Sequence, residues 1–412
     1  MQFENIIAQQ QVKHQLKELV LRNRLSHALL FLGKEGSGAL PLAIAFAQYV
    51  LCEKVNPKMQ QPNANPLFGT EETDTIDAGL EDSCGVCASC NKVNQLIHPD
   101  LHFSYPALKR DSKHDRVLST DYITEWREFI AQQPYGNGAD WINFLKESPS
   151  AKIENPVNKQ GNITVSECDD ISHKLSLKSF EGQYKILIMW MPEFLGQSGN
   201  KLLKLIEEPP PNTLFLFVAE DESAILPTIL SRTQLIKIPL LSNEGIKGAL
   251  INNYHISPEK AAQATAISEG NFREALLLLQ NNDEDFQVQI REWLNHIVRN
   301  NINAQIKWID QISKTGREKQ KQFLKYFIHL IRQAVRVHYL SEEDIASIPE
   351  AERDFAIRLN RMCGTEAQEA IAKELDNAMY YIERNAHAKM LFHALTIRFF
   401  HIIKDNSLLL VY

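Results

Sequence analysis

Cysteine is scarce, with six residues in 412, too few to hold a chain of this length together as a disulfide scaffold. Long apolar runs are missing as well. The longest, Ala28 to Leu32 and Ile186 to Met191, fall far short of the ~20 residues that cross a bilayer, so no membrane span is expected. The opening Met-Gln-Phe-Glu-Asn-Ile-Ile has neither the basic start nor the apolar stretch of a secretory signal, which predicts a cytoplasmic protein. Nor is there a basic excess: 44 Lys and Arg against 51 Asp and Glu leave a net charge of −7. A chain that grips DNA phosphates alone normally carries positive charge, so any nucleic-acid contact is expected to be shared with partners.

What is present describes a folded, multidomain chain. Hydrophobic residues make up 44% and charged residues 23%, close to globular averages. At roughly 100–200 residues per domain, the length predicts two to four domains. Val12, Leu16, Leu19 and Val20 recur at helical spacing, and His27 to Leu32 follows as a short buried strand. A Gly-rich turn, Gly33 to Gly38, then leads through Pro41 into an apolar helix ending near Cys52. Residues 53–83 are polar and aperiodic and read as a mobile insertion. Residues 105–160 read as a second irregular insertion, in which Tyr122 to Phe129 and Trp141 to Leu145 can form short helices.

Regular structure returns at Ser166, where Ser-Glu-Cys-Asp reads as a capping box opening a helix through Phe180. Tyr184 to Met191 and Leu214 to Ala219 read as buried strands separated by a helix, Gly199 to Glu208, which Pro209 stops. Strand, helix, strand implies parallel pairing through a crossover. Gln234 to Ile238 reads as one more strand, and beyond Pro239 only helical patterns remain. The expected architecture is an α/β parallel-sheet domain over 1–240, a small helical domain over 241–287 and a larger all-α domain over 288–412.

Cys84-Gly-Val-Cys87-Ala-Ser-Cys90 supplies three thiols at two-residue spacers, with Cys52 as a candidate fourth. Four thiolates close a tetrahedral structural zinc site and leave no open position for catalysis. The alternatives are a redox dithiol or unpaired cysteines; His98 and His102 are possible substitutes for Cys52, but His98-Pro99-Asp100 reads better as the start of the next strand.

Gly33-Lys-Glu-Gly36-Ser-Gly38-Ala39-Leu40 has the outline of a phosphate-binding loop, but Ala39 stands where a lysine should meet the β/γ-phosphates and Leu40 where a hydroxyl should hold magnesium. The strand expected to end in a metal-binding acid ends instead in Trp190. Two defects in one active centre predict a loop that keeps its fold without productive ATP binding. Glu193 is a candidate surviving carboxylate of that centre but reads better as a solvated helix-start glutamate, and the adjacent Glu207 and Glu208 read as non-catalytic.

Arg232, in Ser231-Arg232-Thr233, is placed at a turn from which its permanently charged, planar guanidinium can reach phosphate oxygens across an interface. Alone, such an arginine is usually a salt-bridge partner. Arg273, at a helix start after Gly270-Asn271, sits where an ATPase would sense phosphate. An ordinary solvated or interface role suits it equally.

Two stretches resemble a known family. Asn200-Lys-Leu-Leu-Lys-Leu-Ile-Glu-Glu-Pro-Pro210 is similar to the Asn-x-Leu-Leu-Lys-x-Leu-Glu-Glu-Pro-Pro signature of bacterial clamp-loader subunits, and Leu226 to Arg232 to the segment leading into their Ser-Arg-Cys motif. Within that group the chain resembles the delta-prime branch, over residues 1–52, 84–102 and 163–280. The resemblance implies an AAA+ fold in which the α/β module carries a zinc-binding insertion and is followed by a helical lid and an all-α collar that joins a hetero-pentamer. It implies as partners the motor ATPase subunits and the clamp-opening delta subunit, and, through the assembled complex, the sliding clamp and primer-template DNA. It further implies a zinc module on Cys52, Cys84, Cys87 and Cys90, no intrinsic enzymatic activity, and an arginine, Arg232, offered to the neighbouring subunit's ATP. The chain departs from the family at Thr233, which replaces a cysteine, in the 31 residues between Cys52 and Cys84, and in the length of 105–160. The competing readings are an active clamp-loader motor ATPase and a stand-alone zinc-dependent DNA-binding protein.

Overall fold

A computed structural model describes residues 1–56, 82–111, 116–154, 161–280, 286–339, 348 and 350–404. Most of the polar insertion read at 53–83 lies outside the described residues. The chain divides into two compact units, Met1–Ala275 and Leu276–Tyr412.

The first unit is built on five strands, β1 (Ala28–Gly33), β2 (Leu101–Ser104), β3 (Lys185–Trp190), β4 (Thr213–Ala219) and β5 (Gln234–Ile238), in the order β2-β3-β4-β1-β5. Every pairing is parallel, with Leu30 opposite Phe217 and Leu235, and Ile188 opposite Phe103 and Leu216. A parallel sheet has both faces covered, which is why these strands are continuous apolar runs. Alternation along the strands still sorts the side chains. Leu29, Phe31, Ile188 and Trp190 pack on one face with helices α1 (Gln10–Leu21) and α2 (Ala39–Leu51), while Ala28, Leu30, Leu187 and Met189 pack on the other.

The crossover between β2 and β3 corrects one expectation. The described residues of 105–160 are less irregular than expected, and the two short helices read there are present and longer than their expected bounds. The segment contains α4 (Ile123–Gln132) and α5 (Gly138–Glu147), which follow α3 (Ala88–Asn94) in the chain. Trp126 and Trp141, both fully buried, join Tyr105, Phe129 and Trp190 in one aromatic cluster, with Tyr105 stacked on Trp126 at 4.1 Å. The glycines and prolines that suggested a loop punctuate these short helices. Asn137 caps α5 in a reciprocal box with Asp140.

The helix expected from Ser166 begins one residue earlier, as α6 (Val165–Ser176), and its cap is Thr164, whose Oγ1 accepts from Glu167 N at 3.2 Å. The cap is therefore Thr164, two residues upstream of the one read, with the Glu167 carboxylate turned to Ser119 N and Oγ and not back to the cap, and the helix ends at Ser176, short of Phe180. The helix expected over 199–208 is a 3-10 stretch, Pro192–Leu202, kinked at Gly196, followed by the short α7 (Leu203–Glu207). After α8 (Pro227–Leu230) and β5, the unit closes with α9 (Asn243–Tyr254), α10 (Pro258–Ser268) and the start of α11 (Phe272–Gln280).

The second unit is helical throughout its described residues: α12 (Phe286–Val298), α13 (Ile302–Ile312), α14 (Arg317–Tyr339), α15 (Glu350–Met362), α16 (Thr365–Glu383) and α17 (Ala388–Lys404). Its core is aromatic. Trp293 stacks on Trp308 at 4.7 Å among Phe323, Phe392 and Phe399, and its indole N–H donates to Thr396 Oγ1 at 2.9 Å.

Candidate functional site

Three places predicted from residue type can be built from the structure. At the first, Cys52 ends α2, Cys84 and Cys87 lie on the turn before α3, and Cys90 is inside α3. The four sulfurs lie within 4.8 Å of one another, and Cys84 Sγ is 3.9 Å from Cys90 Sγ. A tetrahedral thiolate site with metal–sulfur bonds of about 2.3 Å separates its sulfurs by about 3.8 Å, so the geometry fits. Backbone N–H groups point at the sulfurs: Cys84 N at Cys52 Sγ (3.3 Å), Cys87 N at Cys84 Sγ (3.4 Å) and Cys90 N at Cys87 Sγ (3.4 Å). Such donors favour thiolates. Burial pushes the Cys84 thiol up, but the Val86 and Cys87 backbone groups and the Cys87 and Cys52 sulfurs outweigh it, and the net is down, to about 7. Burial holds the Cys87 and Cys90 thiols above the usual range. Four clustered thiols can hold a metal ion such as zinc.

His98 is no substitute ligand. Its Nε2 lies 3.1 Å from Ser89 Oγ and 3.5 Å from Glu181 Oε1, and its Nδ1 accepts from Asp100 N. His102 lies on β2, outside the sulfur cluster.

The second place is the loop between β1 and α2. Gly36 and Gly38 adopt left-handed φ of 70° and 85°, and both are crowded. A Cβ on Gly36 would fall 1.9 Å from Asn271 Oδ1, and one on Gly38 2.8 Å from Tyr135 Cε1. Gly33, Gly36, Gly38, Ala39 and Leu40, with Tyr135, Trp190 and Glu220, surround a cavity of about 20 Å³, room for about one water. Ligand pockets run to about 300–1,000 Å³. Tyr135 is fixed over the loop by its hydroxyl, which accepts from Ile7 N at 3.0 Å, and by an edge contact with Phe272. A wider groove of about 830 Å³ opens beside the loop, and its wall carries both acidic side chains, Glu220, Asp221 and Glu222, and basic ones, Lys34 and Lys237.

Arg273 is neither solvated nor at an outer surface. Its side chain is 8% exposed; Nη1 donates to Glu35 Oε1 at 2.8 Å, and Nε and Nη2 donate to the two oxygens of Asp140. Glu35 also accepts from Asn137 Nδ2 (2.9 Å) and Asn271 Nδ2 (3.1 Å). Glu193, expected to be solvated, accepts instead from the backbone of Glu220 (2.6 Å) and Asp221 (3.0 Å). Burial, then Glu35 and Glu193, raise the Glu220 carboxyl to about 8.

Arg232 follows α8 and is partly exposed. Its Nε donates to Glu207 Oε1 at 2.6 Å, and its Nη1 to Thr228 O at 2.8 Å and Ser231 Oγ at 3.0 Å. The surface ion pair aims the guanidinium without burying it. Sequence reading missed Tyr135, Glu35 and Asp140. Only Asp140 carried a local signal, the Asn137-x-x-Asp140 cap.

Among the described residues no helix is long and apolar enough to cross a membrane. The family described as "DNA polymerase III, delta subunit" matches residues 8–78 and 64–242. The DNA polymerase III subunit delta' of Bacillus subtilis is 24% identical over 275 residues, 67% of this chain and 60% of that protein. The subunit delta' of Haemophilus influenzae is 23% identical over 283 residues, 69% of this chain and 63% of that protein. The chain thus spans less than two thirds of the length of either. The DNA polymerase III subunit tau of Bacillus subtilis is 23% identical over 286 residues, 67% of this chain and 37% of that protein. The match over residues 8–242 covers more than half of the sequence, and the chain belongs to the delta-prime clamp-loader family of DNA polymerase III.

Proposed function

We propose that this chain is a delta-prime-type clamp-loader subunit that does not hydrolyse ATP and supplies Arg232 to the ATP site of a neighbouring motor subunit during sliding-clamp loading onto primed DNA. The observation that carries the reading is the filled phosphate loop: about 20 Å³ remains beneath Tyr135, with Trp190 at the strand end. An occluded loop together with a partly exposed arginine suits a subunit that assists hydrolysis next door. The active-motor reading has one point in its favour, the similarity to a tau subunit, and the occluded loop weighs against it.

In this reading the four cysteines hold one structural zinc, residues 241–287 form the lid and 288–412 the collar of a hetero-pentamer with the motor and delta subunits, and the complex works in the cytoplasm. Zinc would tie the turn before α3 to the end of α2, and its closed thiolate shell would leave it no catalytic part. The test is reconstitution with the motor and delta subunits. Arg232→Ala should assemble normally but depress hydrolysis at least tenfold, a small fraction of the ~10³–10⁵ an inserted arginine can supply. Unchanged hydrolysis removes the role of Arg232. Magnesium-dependent ATP turnover by the isolated chain removes the whole reading.

A further inference from the structure

Two stretches that stand out in the sequence, Asn200 to Pro210 and Leu226 to Arg232, are joined in the fold by one ion pair. The first ends α7 at Glu207, where Pro209 and Pro210 lack the N–H groups that would continue a helix. The second contains α8, whose C-cap is Ser231. Across 25 positions of sequence, Arg232 Nε donates to Glu207 Oε1 at 2.6 Å, and Nη2 pairs with the same oxygen.

The division of the guanidinium among its acceptors decides what is left to offer. Glu207 takes the Nε–Nη2 edge of the fork. Nη1 donates to Thr228 O at 2.8 Å and to Ser231 Oγ at 3.0 Å, and Ser231 Oγ in turn donates to Thr228 O at 3.2 Å. The Nη1–Nη2 edge is the one that can still present parallel donors to a phosphate. One contact must give way for that, and Ser231, an exposed residue, makes the contact that water or phosphate replaces most easily. The Arg232 and Glu207 side chains are 34% and 46% exposed, and pairs so exposed contribute little to stability. The value of this one lies in orientation. An arginine side chain loses much rotamer freedom when it is fixed, and here that loss is taken on folding and not when a neighbouring nucleotide arrives.

We propose that Glu207 is a positioning residue for Arg232: it clamps the Nε–Nη2 edge so that the Nη1–Nη2 edge faces the ATP of the neighbouring motor subunit. The proposal rests on the clamp-loader reading above and adds to it the group that aims the arginine. Glu207 touches no phosphate, which its own charge would repel, and acts only through the guanidinium. Its effect therefore falls on the chemical step and not on nucleotide binding, which belongs to the motor subunit.

The experiment measures steady-state hydrolysis against ATP concentration by the complex reconstituted with motor and delta subunits, clamp and primed DNA, with assembly followed by gel filtration. Glu207→Ala should assemble and lower kcat about three- to tenfold, with KM within about twofold of the parent's. Combined with Arg232→Ala it should lower kcat no further, because a positioning residue has no effect once the group it positions is gone. Glu208→Ala removes the same charge from the next residue, which is also exposed, and should leave kcat at the parental value. Unchanged kcat in Glu207→Ala overturns the proposal, and so does a raised one, which would mean that the pair parks the arginine. A fully additive loss in the double variant, or an equal loss in Glu208→Ala, overturns it too. Parental hydrolysis in Arg232→Ala overturns instead the reading on which the proposal rests.

Discussion

Arg273 Nη1 donates to Glu35 Oε1 across 2.8 Å, tying the start of α11 to the loop between β1 and α2. A guanidinium placed to sense phosphate is occupied by the protein's own carboxylates, those of Glu35 and Asp140. The pairing makes Arg273 a structural residue, with a measurable consequence. Arg273→Ala leaves two partly buried carboxylates without their cation, and truncating one member of a buried pair costs about 3–5 kcal/mol. Urea unfolding of the isolated protein should show a loss near the lower figure, because Glu35 retains some exposure. Stability unchanged within experimental scatter contradicts the assignment.

The second prediction concerns the occluded loop. Restoring the two missing chemical residues, with Ala39→Lys and Leu40→Thr together, should not restore ATP binding, because Tyr135 still lies over Gly38 and the cavity still holds about 20 Å³. Calorimetric titration of the double variant with magnesium-ATP should show no saturable heat. Micromolar binding would mean that the ring swings aside at little cost, and occlusion would not explain the loss.

Sequence reading recovered one layer of this site and missed the other. β1, β3, β4 and β5 were legible because a parallel sheet covered on both faces makes each strand a short apolar run, and Gln234–Ile238 was placed to the residue. The four-residue β2 was signalled only by the strand start read at His98-Pro99-Asp100, one residue ahead of Leu101 where it begins. The cysteines were legible because Cys84, Cys87 and Cys90 stand at two-residue spacers, which one turn and the start of α3 bring together beside Cys52. Tyr135 was not, for it reaches Ile7 N across 128 positions of sequence, and Arg273 reaches Glu35 across 238. Such pairings leave no local periodicity. Within 105–160 the two short helices were read, but not the packed aromatic layer they build, for a related reason. Helices as short as α4 and α5, bounded by glycine and proline, take their stability from burying Trp126 and Trp141 and not from propensity.

The metal site yields a third prediction. Purified protein should carry about one zinc per chain, released by a thiol-reactive mercurial and read with a colorimetric chelator. Cys87→Ser should abolish it, because serine is a poor ligand for zinc beside three thiolates. Without the metal the turn holding Cys84 and Cys87 loses its cross-link to Cys52, and amide exchange should rise across α3 while β3 and β4 stay protected. Full metal retention in Cys87→Ser, or protein that is native and metal-free as isolated, removes zinc from the account.

Glu220 gives the pH dependence its sign. Burial, then the charges of Glu35 and Glu193, raise its carboxyl in the folded protein to about 8 from an ordinary 4.5. Between those values the folded state binds a proton that the unfolded state has released. Stability attributable to this group is therefore present below the ordinary carboxyl range and is lost as pH rises through about 8. Glu220→Gln mimics the protonated form and abolishes the titration. The variant should equal the parent near pH 5 and exceed it by about 1 kcal/mol or more at pH 9, with the difference opening across neutral pH in urea midpoints taken at constant ionic strength. Parallel pH profiles for the two proteins would mean that Glu220 is ionised in the folded state at neutral pH, held so by the Arg273 charge against its acidic neighbours.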